Sequence, residues 1–211
     1  LEPQAEYMLA KSWREHGERG AAHRPVRSHL RVVARIAMQR VGAGEASIVS
    51  RAVGSHRYTI SFEGPGGHSY GAFGMANPMH AMGRAIAKIA DLPVPARPGV
   101  TYNVGIVRGG TSVNTITPLA QMDVDMRSES AEALQDIDTR IRAAVDAAVK
   151  DELARWPNSR APVTVKYDTI GIRPTGGQSD DAPIVQTAWK AVELIGWLPA
   201  TVASSTDANL P

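Results

Sequence analysis

Cysteine is absent from this 211-residue sequence, which excludes a disulfide framework, a thiolate metal site and a cysteine nucleophile. No apolar run approaches the roughly 18 to 20 residues that cross a bilayer. No basic-then-apolar leader pattern stands at the start. A membrane partner is therefore not expected, and a cytoplasmic location is. Net charge is small, +2, too little to imply a nucleic-acid partner. What is present, 43% hydrophobic and 21% charged residues, is the composition of an ordinary globular chain with one good core and room for a second small one.

The charge is unevenly spread. Ten lysines and arginines face five glutamates up to Arg57, and four of the six histidines (His16, His23, His29, His56) fall in the same stretch. Little is apolar between Glu15 and Arg40 before Val32. The plain reading is a solvated, arginine-rich arm or helix pair. An RNA-binding or membrane-surface arm is the sharper one, but no aromatic residue interleaves the basic ones to stack on bases.

From Ser55 the texture changes. Tyr58, Ile60 and Phe62 alternate with polar residues, as in a half-buried strand. Gly64-Pro65-Gly66-Gly67 breaks it. Met79, Met82, Ile86 and Ile89 then recur at helical spacing, with Asn77 as N-cap and Pro78 in the first position. Thr101–Val107 and Leu119–Met126 read as two further strands. Leu134, Ile137, Ile141, Val145, Val149 and Leu153 mark a long helix from Ser130 to Arg155, and Val163–Tyr167 a fourth strand. The order βαββαβ predicts an α+β, ferredoxin-like two-layer sandwich: a four-stranded antiparallel sheet with two helices on one face. A helix over Pro183–Ile195 and a strand near Thr201–Ala203 begin something further.

Element order says nothing of function, but three segments are specific: Gly66-Gly67-His68-Ser69, Gly109-Gly110-Thr111-Ser112-Val113-Asn114-Thr115-Ile116 and Asp123-Val124-Asp125-Met126-Arg127. At these places in the order, and with Ser204-Ser205-Thr206-Asp207-Ala208-Asn209 near the end, the chain from about residue 51 to 211 resembles the zinc-dependent aminoacylase, carboxypeptidase G and acetylornithine deacetylase family. The resemblance implies a lid and dimerisation domain over 52–172, an atypical basic segment over 1–51, and a partial return to the catalytic domain over 173–211. It implies a homodimer in which the lids pair through a helix and an edge strand. It implies that His68 reaches the partner subunit's active site and steadies an oxyanion, that Asn114 contacts substrate, and that Arg173 in Ile172-Arg173-Pro174 meets a substrate carboxylate. The bland alternatives are a turn histidine, a turn asparagine and a solvated hinge arginine. Asp207 reads as a capping aspartate rather than a catalytic one. The complete family enzyme cleaves N-acyl or N-carbamoyl amino acids or small peptides with zinc-bound water.

Two departures stand out. The first 50 residues contain neither an H-x-D pair nor the paired glutamates that hold the family's zinc. No metal ligand is assigned, and no cofactor is expected in this chain. The arginine, alanine and histidine bias there is what a shifted reading frame of a GC-rich gene, or a junction with foreign sequence, would produce. A rival reading rests on Gly67-His68-Ser69-Tyr70-Gly71, which fits G-x-S-x-G and makes Ser69 a candidate esterase nucleophile. Its final histidine, His80, comes too early for the α/β-hydrolase order. A base among His68, His80 and His56, oriented by Asp123, Asp125 or Asp207, would have to assemble in another geometry.

Overall fold

A computed structural model describes residues 40–42 and 45–205. The basic stretch before residue 40 and Asp207 lie outside the described residues. The described chain divides into two compact units, one holding residues up to Arg51 together with Gly177–Ser204, the other centred on Ala52–Gly176.

The larger unit is the expected sandwich. Its sheet is built from β3 (Gly54–Glu63), β5 (Val100–Gly109), β7 (Leu119–Ser128) and β8 (Thr164–Arg173), in the antiparallel order β5-β7-β3-β8. Helices α1 (Pro78–Ala90) and α2 (Ala131–Arg155) cover one face. Alternation sets the layers. Tyr58, Ile60 and Phe62 of β3 and Ala120, Met122, Val124 and Met126 of β7 are buried against Ala81, Met82, Ala85 and Ile89 of α1 and Leu134, Ile137, Ile141 and Val145 of α2. The opposite face carries paired charges instead. Arg108 forks onto Asp123 at 3.1 and 2.7 Å, and Asp125 accepts from Arg57 at 2.6 Å and Arg127 at 2.7 Å. The Arg108 guanidinium holds the Asp123 carboxyl below its ordinary range.

Local signals end the helices where expected. Asn77 Oδ1 accepts from Met79 N at 2.9 Å with Pro78 in the first turn, and Ser130 Oγ accepts from Ala133 N at 3.2 Å. One polar contact joins the two helices. Glu152, 0% exposed near the end of α2, accepts from the Asn77 backbone N–H at 3.0 Å and from Arg84 Nε at 3.1 Å. A buried carboxylate is tolerated because it meets a cation and the positive end of α1 together. A second buried cluster ties α2 to the sheet. Asp138 accepts from Tyr58 Oη at 3.0 Å and from Arg142 Nε at 2.9 Å, and the Arg142 guanidinium lies over the rings of Tyr58 and Tyr167 at 4.8 and 4.3 Å.

Among the described residues the smaller unit has a sheet in the order β1 (Arg40–Gly42), β2 (Glu45–Ala52), β10 (Leu198–Ser204), with the short β9 (Gly176–Gly177) pairing β2, and the helix α3 (Pro183–Leu194). β2 was not expected. Its buried positions include Ser47 and Ser50 as well as Ala46 and Ile48, so its apolar alternation is weak. β8 also runs further than expected, through Gly171 to Arg173, because Ser55–Arg57 of β3 supply pairing partners there. No helix among the described residues is long and apolar enough to cross a membrane.

Replacing Glu152 by alanine removes one partner of a buried ion pair and uncaps α1. It is expected to cost about 3 kcal/mol, read by urea unfolding followed at two wavelengths. Glu152→Gln, which keeps an acceptor for the Asn77 N–H, should cost about half of that. Equal losses for the two variants would show that charge, not capping, is what Glu152 supplies.

Candidate functional site

The glycine-rich segments flagged in the sequence meet at one end of the sandwich. β4 (Gly67–His68) and β6 (Thr115–Ile116) form a two-stranded antiparallel sheet in which Gly67 faces Ile116 and His68 faces Thr115. Ser69 N donates to Asn114 O at 2.9 Å and extends the ladder by one bond. Glycine is required in this assembly. Gly67 has φ +150°, and a Cβ there would meet Ala72 Cβ at 2.7 Å. Gly109, at φ +149°, would put a Cβ 2.8 Å from Met79 Cε.

The ladder brings His68 and Asn114, 46 residues apart, into contact. Nε2 of His68 lies 3.4 Å from Asn114 Nδ2. Nδ1 receives the backbone N–H groups of Tyr70 and Gly71 at 3.3 and 3.5 Å. An Nδ1 that accepts leaves the proton of a neutral ring on Nε2, so Nε2 is a donor. The Asn114 amide suits that donor when Oδ1 faces the ring and Nδ2 faces Ser112 Oγ, the hydroxyl now 2.6 Å from Oδ1. Ser112 Oγ also meets Thr115 Oγ1 at 2.8 Å, and buried Thr117 donates to Leu119 O at 2.6 Å and accepts from Gly110 N at 3.3 Å. The loop is thus tied down while His68, Ser69 and Asn114 stay exposed.

Ser69 is adjacent in sequence, yet its Oγ makes no hydrogen bond among the described residues. It does line a cavity of about 410 Å³ together with His80. The strand before Ser69 has two residues and α1 begins only at Pro78. Among the described residues no non-glycine residue has a positive φ, so the sharp, strained strand-to-helix elbow of a serine hydrolase is not formed at Ser69. Arg173 stands elsewhere. It ends β8 opposite Ser55, near the start of β3, whereas His68 follows the far end of β3. At about 3.3 Å per residue a ten-residue strand separates them by roughly 30 Å. Its Nη1 donates to Ser205 Oγ at 3.3 Å. His56 is below the sheet, with Nδ1 3.4 Å from Asp138, and Asp123 and Asp125 are bound to arginines on the open face, so none of these orients Ser69. Of the cavity walls, Met79 was read only as an apolar position of a helix, and Phe73 and Trp156 had no signal in the sequence. Trp156 arrives from the end of α2, and only the three-dimensional packing puts it beside Ser69.

Zinc was tested against this donor set. Among the described residues no three His, Asp or Glu side chains cluster closely enough to hold a metal ion, and Nδ1 of His68 is already occupied by backbone donors. The described residues do not fit a zinc centre.

Residues 51–152 match the family model of the peptidase dimerisation domain. Solved structures agree in fold. An amidase of the hydantoinase/carbamoylase family from Burkholderia vietnamiensis superposes with a TM-score of 0.61 at 18% identity over 75% of this chain and 36% of that one. The aminopeptidase PepT from Bacillus cereus gives 0.61 at 21% identity over 77% and 41%. The chain therefore spans well under half the length of these enzymes. A stretch of 44 residues, 21% of the chain, is 64% identical to 15% of the RNA polymerase sigma factor RpoH of Rhizobium radiobacter. It is 57% identical to the same factor of Zymomonas mobilis.

The tautomer is directly measurable. In long-range ¹H–¹⁵N spectra at a pH where the ring is neutral, His68 is expected to show its proton on Nε2. Asn114→Ala should leave that unchanged, since the backbone N–H groups set it. An Nδ1–H pattern in either protein would overturn the assignment.

Proposed function

We propose that this chain is the lid and dimerisation portion of a metallopeptidase-type amidohydrolase whose complete form cleaves N-acyl or N-carbamoyl amino acids or small peptides. The observation that carries this reading is the β4–β6 ladder, which delivers His68 and Asn114 as one exposed pair within a peptidase dimerisation domain. In this reading Nε2–H of His68 exchanges its Asn114 acceptor for the carbonyl oxygen of a substrate bound in the partner subunit, and the new bond strengthens as negative charge develops there. Asn114 positions the same carbonyl. Arg173, distant from that pair where the chain leaves the lid, receives a substrate carboxylate at its own subunit's hinge. Hydrolysis by metal-activated water is not a task of the residues described here.

The dimer forms, in this reading, along β5. Both β5 and β8 are edge strands. Both strands expose apolar residues, Ile106 and Val107 of β5 at 49% and 56% and Ile170 and Ile172 of β8 at 56% each, but β8 is guarded by Lys166, Asp168 and Arg173 while Val100–Val107 has no charged residue. An uncharged edge of that length is a pairing site, and pairing through it continues the sheet across a two-fold axis. Ile106→Lys is expected to weaken self-association at least about tenfold in sedimentation equilibrium, with Lys166→Ala without effect. The reverse pattern would move the interface to β8.

The serine-esterase alternative keeps one supporting observation, that Ser69 and His80 line the same cavity. Hydrolysis of p-nitrophenyl acetate by the full chain and by Ser69→Ala, each with and without chelator, separates the readings. No turnover above background is expected. Chelator-resistant turnover that vanishes with Ser69 would establish the esterase, and chelator-sensitive turnover would establish a metal site.

The sigma-like stretch belongs, we infer, ahead of residue 51. The solved peptidase-type structures cover 75 to 82% of the chain, leaving a remainder that matches the stretch in size. Identity of 64% does not arise from a shifted reading frame, which leaves a junction of two unrelated coding sequences as the account of the basic bias. Amplification across the junction from source DNA should fail; a product of the expected length would show a natural fusion.

A further inference from the structure

The cavity beside the His68–Asn114 pair has no part in the mechanism above. It encloses about 410 Å³ between the turn that follows His68 and the loop that contains Asn114, a volume in the range of small-molecule sites. Its walls include Phe73, Met79, Val113 and Trp156, with Ser69 and Thr115. No Asp, Glu, Lys or Arg is among its lining residues. Its one ionisable side chain is His80, so a charged group entering it would find no carboxylate, ammonium or guanidinium as counter-ion, and the lining favours an uncharged one.

The walls are held in place. Trp156 caps α2 and meets Phe73 edge-on at 5.4 Å. The Ala76 N–H donates to Ser159 Oγ at 3.0 Å, the Asn77 N–H is fixed by Glu152, and Met79 is in the first turn of α1. The rim is apolar and uncovered, with Phe73 79% and Val113 105% exposed, a cost in water that a bound apolar group would relieve. Position supplies the remaining argument. Ser69 follows His68 directly, and Ser112, Val113 and Thr115 surround Asn114 in the chain, so the polar pair and the apolar cavity are contiguous.

We propose that this cavity receives the uncharged, apolar group of an amide whose carbonyl is held by His68 and Asn114, as in an N-acyl amino acid with a bulky substituent. The proposal rests on the lid reading for the carbonyl contact and on the cavity alone for the preference. The substituent comes either from the amino-acid side chain or from the acyl group, and the two sources are distinguishable.

The full chain is titrated with N-acetylglycine, N-acetylphenylalanine and N-benzoylglycine while the Trp156 indole N–H and the Met79 and Val113 methyl signals are followed by NMR. Saturable shifts are expected, with at least one aromatic ligand bound about tenfold or more tightly than N-acetylglycine. The tighter of the two aromatic ligands identifies the side chain or the acyl group. Phe73→Ala and Val113→Glu, both at exposed positions, are expected to abolish the preference. Loss of affinity for all three ligands in His68→Ala, with the preference kept, supports both readings. An aromatic preference whose affinities do not change in His68→Ala supports the cavity and overturns the contact with His68. Equal binding of the three ligands, no saturable shift for any of them, or a preference that survives Phe73→Ala and Val113→Glu would overturn the cavity proposal.

Discussion

The fold turns on one carboxylate. Glu152 is buried at the end of the longest helix, where an unpartnered charge would be costly, and it is stable there because the N-terminus of α1 and Arg84 converge on it. That contact fixes the start of α1 against the end of α2. The start of α1 in turn anchors the segment after His68, and the end of α2 brings Trp156 beside it. The exposed histidine is therefore held, through a short chain of contacts, by a group with no exposure to solvent.

Rigidity and exposure are combined at this end of the sandwich. His68, Ser69 and Asn114 face solvent, yet the backbone beneath them is tied by a two-stranded ladder, by Thr117 and by Ser159. A hydrogen-bond donor that is aimed in advance costs little to use when charge appears on a substrate oxygen. The opposite face of the sheet uses its polar residues differently, closing arginine and aspartate side chains on one another and leaving none of them for a ligand.

Much of the sandwich was legible in the sequence because each main element has a period. The alternation of Tyr58, Ile60 and Phe62 and the three- and four-residue spacing along α1 and α2 mark their buried faces, and Asn77-Pro78 marks a helix start. β2 was not legible, since serines occupy buried positions in it, and β8 was cut short at Tyr167, ahead of the glycine- and proline-containing segment that reads as a break, while the ladder to Ser55 and Arg57 is long-range. The glycine-rich segments stood out as motifs. Their pairing did not, because strands of two residues have no period and the contact between His68 and Asn114 spans 46 residues. The cavity was invisible for the same reason: Phe73 and Trp156 are far apart in the chain and meet only once the helices have packed.

The bulge at Gly105 in β5, where the register to β7 shifts between Val104 and Ile106, gives the neutral edge a second meaning. Bulges twist an edge and spoil its fit to a flat template. Without one, Val100–Val107 would present an uncharged strand with valine, isoleucine and tyrosine, the composition of a segment that stacks into cross-β fibrils. With it, the edge accepts a partner that is curved to match and rejects an indefinite stack. Solutions of this protein should then lose material to fibrils through variants that straighten Gly105, rather than through those that weaken the core.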